Sequence, residues 1–223
     1  MKKVILKFGL ATCLFLANAA YPAFAEQTND NRGAFPGRRV GGGTRSEQCL
    51  GPDLAMTALN PNSNLGVTAK SNPTIYFAIP ALAQVRDAEF VLTDSQGKTV
   101  YSTVMTVGKM PQLASIQLPE NAIATGQDYQ WSFSLMCDPQ DYTRDIILTG
   151  WLRRVAGEAE QIPHNLEGAI ALQDQELWLD AIAMLIDLRQ AQPQNREIEQ
   201  KWQQTLQELD LNLAPNPMTI SQF

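Results

Sequence analysis

The chain has 223 residues, with 17 Lys and Arg against 23 Asp and Glu, a net charge of −6 at neutral pH. So acidic a chain lacks the basic surface on which nucleic-acid recognition rests, and no nucleic-acid partner is expected. One histidine and three cysteines are too few for a histidine-built zinc centre, and no residue set calls for a metal or other cofactor.

The first 25 residues read as an export signal. Lys2, Lys3 and Lys7 give a basic start, residues 4–20 are mostly apolar, and Ala23, Phe24 and Ala25 form a small-x-small cleavage site. The apolar stretch is shorter than the ~20 residues of a spanning helix and no second one follows, so no membrane span is expected after cleavage. The expected location is the periplasm or cell envelope, or outside the cell. Cleavage removes three basic residues and no acidic one, which takes the charge from −6 to −9.

Residues 26–48 are rich in Gly, Arg, Asn and Gln and nearly free of apolar residues, a composition that predicts a disordered arm. Arg32, Arg38, Arg39 and Arg45 make it cationic, and their guanidinium groups suit paired contacts to a polyanion or an acidic partner surface. Gly37–Thr44 approaches the phosphate-loop pattern, but Gly43 stands where the lysine is needed, and no buried strand precedes it.

Residues 49–157 read as a β-sandwich. Short β-branched and aromatic runs are separated by turns: PTIYFAIP (73–80), a hairpin over 88–107 turning at Asp94–Gly97, LASIQLP (113–119), YQWSFSLMC (129–137) and DIILTGWLRRV (145–155). Period two sends Tyr129, Trp131, Phe133 and Leu135 inward. The last run carries apolar groups on both faces, so the segment that follows is expected to cover one of them, with Trp151 and Trp178 at the junction.

Residues 158–210 read as helical. Apolar residues recur at helical spacing in three runs, at Leu166–Ile170, Leu177–Leu188 and Ile198–Leu209, with breaks at Asp174 or Gln175 and at Pro193. They predict a hairpin with a third helix, and residues 211–223 an extended tail. His164 would mark the exposed start of the first helix.

Cys49 and Cys137 are the only cysteines left after cleavage, and in an oxidising compartment they are expected to pair. Asp138, Asp141 and Asp145 gather in one loop. Loop oxygens can hold Ca²⁺, but the regular spacing and its glycine are missing, and a proline turn with an Asp–Arg pair is the first reading.

IATGQDYQWSF (123–133) resembles the start of strand F in immunoglobulin-like and fibronectin type III sandwiches, which implies that the Tyr129 hydroxyl ties back to the preceding corner. LWLDAIAMLIDLRQAQPQN (177–195) is similar to the second helix of a tetratricopeptide repeat, with Trp178 in the aromatic slot and Ala181 in the small one. In their order along the chain, GRRVGGGTR, PTIYFAIP, FVLTDSQG, YQWSFSLMCDPQD, GWLRRV and LWLDAIAMLIDLRQAQP resemble an exported cyanobacterial family catalogued as a domain of unknown function (nine-two-eight), over about residues 36–210. That resemblance implies no activity, substrate or site.

The fold expected is mainly β plus α: an immunoglobulin-like sandwich followed by a helical hairpin with a third helix. The function expected is a non-catalytic exported binding or assembly module with an envelope protein as partner, meeting it through the sheet edge, the helical groove or the arginine arm. A polysaccharide-binding sandwich is the alternative, and a carboxylate-dependent hydrolase the second alternative. No complete catalytic set is present to favour an enzyme.

Overall fold

The computed structural model describes residues 35–42, 49–51, 54–157, 159–211, 213 and 219–222. Their strands form two five-stranded sheets. The first runs β1 (Val40–Gly42), β2 (Ala55–Ala58), β4 (Thr74–Ile79), β7 (Gln112–Gln117) and β10 (Thr219–Gln222). The second runs β3 (Leu65–Thr68), β9 (Ile146–Arg154), β8 (Asp128–Leu135), β5 (Arg86–Thr93) and β6 (Thr99–Val107). Neighbours are antiparallel except β3 with β9 and β10 with β7. Residues 1–25, expected to be an export signal, residues 26–34 and residues 43–48 lie outside the described residues.

Alternation drives the two sheets face to face. On β8 the predicted set of Tyr129, Trp131, Phe133 and Leu135 is buried while Gln130 is exposed. Across the gap, Phe77 of β4 stacks on Phe133 at 4.1 Å and meets Trp131 edge-on at 5.4 Å. Trp131 fits because its cross-strand partner is Gly150, where a Cβ would stand 2.3 Å from the indole. The hairpin turns at Asp94–Gly97 as expected: the Asp94 carboxylate accepts from the backbone of Gln96 and Lys98, and Gly97 takes φ 77°.

A second core lies on the outer face of the first sheet. Tyr76, Ala78 and Leu113 pack there with the three helices, α1 (Leu166–Asp174), α2 (Trp178–Ala191) and α3 (Arg196–Glu208). Asn165 caps α1 by accepting from Gly168 N–H at 2.8 Å, and Asn195 caps α3 by accepting from Glu197 N–H at 3.0 Å. α3 buries Ile198, Trp202 and Leu206, one stripe at a spacing of four. The protein is thus layered as helices, first sheet, second sheet. Leu179 ties the layers together, because it reaches from α2 into the core between the sheets.

Two expectations are corrected. The helices cover β4, β7 and, through α2, β3, but not β9, since β4 is apolar on both faces and offers Tyr76 and Ala78 outward while Val67 of β3 packs on the helical core. The outer face of β9 is met instead by residues 35–38. The Trp151 indole N–H donates to Pro36 O at 2.9 Å and its ring meets Phe35 at 5.7 Å, so Trp151 is no helix junction, while Trp178 packs half-buried against the helical core.

The second correction concerns the arm, whose residues 35–42 are ordered. Arg38 exchanges both backbone hydrogen bonds with Thr149 of β9 (3.0 and 2.9 Å), and β1 then pairs with β2, so the segment crosses from one sheet to the other. Its glycines permit this. A Cβ at Gly37 would lie 2.6 Å from Thr149 O, and one at Gly41 2.8 Å from the Ile146 and Leu148 side chains.

Candidate functional site

Of the four arginines of the expected arm, two are described, and they are used differently. Arg32 and Arg45 lie outside the described residues. Arg38 is exposed and engages β9 by its backbone. Arg39 turns inward with its side chain 14% exposed, and its guanidinium donates to the carbonyls of Asn60, Leu209 and Asp210 and to the Asn62 amide oxygen. An arginine expected to meet a partner thus clasps the C-terminus of α3, where unpaired carbonyls favour a cation. Burial, the largest influence, lowers its pKa, and the nearby Asp210 carboxylate opposes that.

The three loop aspartates point to separate local donors. Asp138 accepts from Gln140 N–H, Asp145 from Cys137 N–H, and Asp141 from Thr143 and Arg144. Hydrogen bonds from Thr143 hold the Asp141 carboxyl below its ordinary value. Among the described residues no three His, Cys, Asp or Glu converge as a metal site. Cys49 and Cys137 form a disulfide with Cα atoms 5.3 Å apart, which fastens the start of the sandwich to the end of β8. The Tyr129 hydroxyl accepts from Ala124 N–H at 2.9 Å, tying back to the preceding corner. His164 is exposed, 4.0 Å from Asp187.

Two surfaces stand out. The first is the edge formed by β6, TVYSTVMTV, which among the described residues pairs on one side only. It holds nine residues without a charge or a proline, and Val104 is 61% exposed. Val85 and Met110, both exposed, flank the same end, where Arg86 pairs with Val107.

The second surface is a cleft of about 610 Å³ between the first sheet and α2. Its floor is two cross-strand pairs, Thr74–Gln117 and Tyr76–Ser115, on the outer face of β4 and β7. The next pair, Ala78–Leu113, is apolar and lies beneath the helices, so the floor opens where the side chains turn polar. Asp180, Ala183 and Asp187 form the wall, at a spacing that keeps them on one face of α2. Lys70, Asn72 and Glu160 complete the rim.

Asp180 is buried and committed. One carboxylate oxygen accepts from the Thr68 hydroxyl at 2.7 Å and the other from Ala69 N–H at 2.8 Å, which docks the start of α2 on the end of β3. Burial raises its pKa despite these bonds. Burial also raises that of Asp187, against the pull of His164 and Lys70. The Tyr76 phenol is pushed far up by burial and secondarily by Asp187, so it remains a hydrogen-bond donor.

None of the cleft residues was singled out from the sequence. The available signal was two carboxylates seven residues apart inside the apolar run LWLDAIAMLIDL, and Ser115 and Gln117 at period two in LASIQLP.

Residues 40–218 match the sequence model of the family described as Domain of Unknown Function (DUF928). No curated protein matches the chain.

Proposed function

Because this chain belongs to the Domain of Unknown Function (DUF928) family, we propose its role from its own geometry: an exported, non-catalytic assembly module of the cell envelope that takes a strand of a partner protein onto β6. The observation that carries the reading is the uncharged nine-residue edge, unpaired on its outer side among the described residues. Natural sheets blunt such edges with charges, prolines or covering segments, because unpaired backbone groups recruit other strands. An edge left open over this length suits strand addition, in which main-chain hydrogen bonds give affinity and alternate side chains give selectivity.

The other two surfaces considered for a partner are less available. Arg39 is engaged within the molecule, and the apolar faces of the helices are packed on one another and on the first sheet. Export is supported by the signal-like first 25 residues and by the Cys49–Cys137 pair. The strand order supports an immunoglobulin-like sandwich: β2, β4 and β7 in one sheet against β9, β8 and β5 in the other, with the Tyr129 corner before β8. Ala169 and Ala181, fully buried where α1 meets α2, support a single tetratricopeptide-like pair. The hydrolase alternative has less support, since both oxygens of the buried Asp180 are occupied.

The test is capture of partners from native envelope by the purified chain and by a Ser102→Lys/Val104→Lys variant. A defined protein retained in high salt by the parent and lost by the variant, with unfolding temperatures unchanged, is the expected outcome. Equal capture by both would overturn the reading.

A further inference from the structure

We infer that the cleft between α2 and the first sheet is a binding site for a neutral saccharide. The inference goes beyond the strand-addition reading and does not depend on it.

The chemistry of the walls selects the ligand by elimination. A lipid or other apolar ligand would find, among the described lining residues, one aliphatic wall residue, Ala183. A phosphate or polyanion needs several cations, and Lys70 is the one cation among the described lining residues, set against Asp187 and Glu160. A polyamine would gain those carboxylates but would face Lys70 and leave the floor unused. The floor, with Asn72 at its rim, is uncharged and capable of both donating and accepting: hydroxyls from Thr74 and Tyr76, amides from Asn72 and Gln117, and the Ser115 hydroxyl oxygen, which can accept while its proton goes to Ser221 O at 3.3 Å. Sugar hydroxyls require that dual capacity.

The carboxylate fits the same ligand. An ionised carboxylate has two oxygens and only accepts, so it can take two neighbouring hydroxyls of a sugar ring. Asp187 is placed for this, because it is about half exposed and His164 stands 4.0 Å away. Asp180, fully engaged below, holds the wall in position. Tyr76 remains protonated and presents a donor beside Asp187. The volume lies in the ordinary range for small-molecule sites and accommodates a mono- or disaccharide unit of a longer chain.

The test uses the full chain and a panel of neutral saccharides: mono-, di- and tetrasaccharides of glucose, galactose, mannose and N-acetylglucosamine. Inorganic phosphate and spermidine are the charge controls, and binding is read by NMR chemical-shift titration. At least one saccharide is expected to bind saturably, with shifts centred on Thr74, Tyr76, Ser115 and Gln117. Each lost hydrogen bond weakens binding about 2- to 10-fold, so Asn72→Ala/Gln117→Ala at the rim and floor should weaken it about 4- to 100-fold. Asp187→Asn is an independent second variant, exposed enough to leave folding intact. The Ser102→Lys/Val104→Lys edge variant should bind sugar as the parent does, which separates this inference from the strand-addition reading. The inference is overturned if no saccharide in the panel binds, if the cleft variants bind as the parent does, or if phosphate or spermidine produces the cleft shifts instead.

Discussion

Arg39→Ala tests whether the N-terminal segment is part of the fold or an appendage to it. The guanidinium donates to the carbonyls of Asn60 and Leu209, on residues that are 1% and 2% exposed, and to the more exposed Asp210. Truncation strands the two buried carbonyls at about 1.5 kcal/mol each, the low end for charge-assisted bonds, and withdraws a cation from a helix C-terminus. The total is about 3 kcal/mol, or a fall of about 6–12 °C in unfolding temperature for a chain of this size. The ion pair with Asp210 contributes little, because that carboxylate is 82% exposed and 3.4 Å away. Denaturant unfolding of Arg39→Ala, Arg38→Ala and Asp210→Ala separates these terms. Arg38→Ala should stay within about 0.5 kcal/mol of the parent, since Arg38 uses its backbone. A loss below about 1 kcal/mol for Arg39→Ala, or an equal loss for Asp210→Ala, would refute the clasp.

Two further outcomes follow from buried groups. Replacing both Cys49 and Cys137 by Ser removes a link across a sequence separation of 88 and should cost about 4–5 kcal/mol by loop entropy; comparing unfolding midpoints with and without reductant checks this, and unchanged midpoints would refute it. The Asp180 carboxyl binds its proton more tightly folded than unfolded, where its value is 3.8, so its contribution to stability is fully present below that value and lost as pH rises through the raised one. Unfolding free energies from about pH 4 to pH 7 should therefore fall more steeply for the parent than for Asp180→Asn, and equal slopes would remove burial as the controlling influence.

The sandwich and helices are legible in the sequence because each rests on a local period. The β8 alternation and the three helical runs announce which side is buried before any partner is known, and the cap that starts α3, Asn195, follows the break at Pro193. What periodicity lacks is the identity of the covering layer. β9 and β4 are both apolar on two sides, and the sequence gives no reason to prefer one for the helices. Leu179 and Asp180 decide it: the first plugs the core between the sheets and the second binds the end of β3, which fixes α2 alongside β4. The Asp180 contact has no local signature, since its partners Thr68 and Ala69 are more than 100 residues away.

The segment from Phe35 to Gly42 was misread for a related reason. Its composition is that of a disordered chain, and composition assumes that order must come from the segment's own apolar residues. Here the order is borrowed. Glycine at 37 and 41 lets the backbone approach β9 closely, Arg38 and Val40 bond to strands already formed, and Arg39 satisfies carbonyls that α3 would otherwise leave open. A sequence rich in Gly and Arg is what such a strap requires: no side chain where the backbone must pass, and a long cationic one where a helix ends. The same logic hides the cleft. Thr74, Ser115 and Gln117 look like ordinary outward strand residues until α2 is set above them, and only then do the carboxylates at 180 and 187 turn a sheet face into a lined site. The proposed saccharide site therefore depends on where α2 docks, and a variant that loosens that docking, such as Asp180→Asn, should loosen saccharide binding while leaving the proposed strand capture at β6 intact.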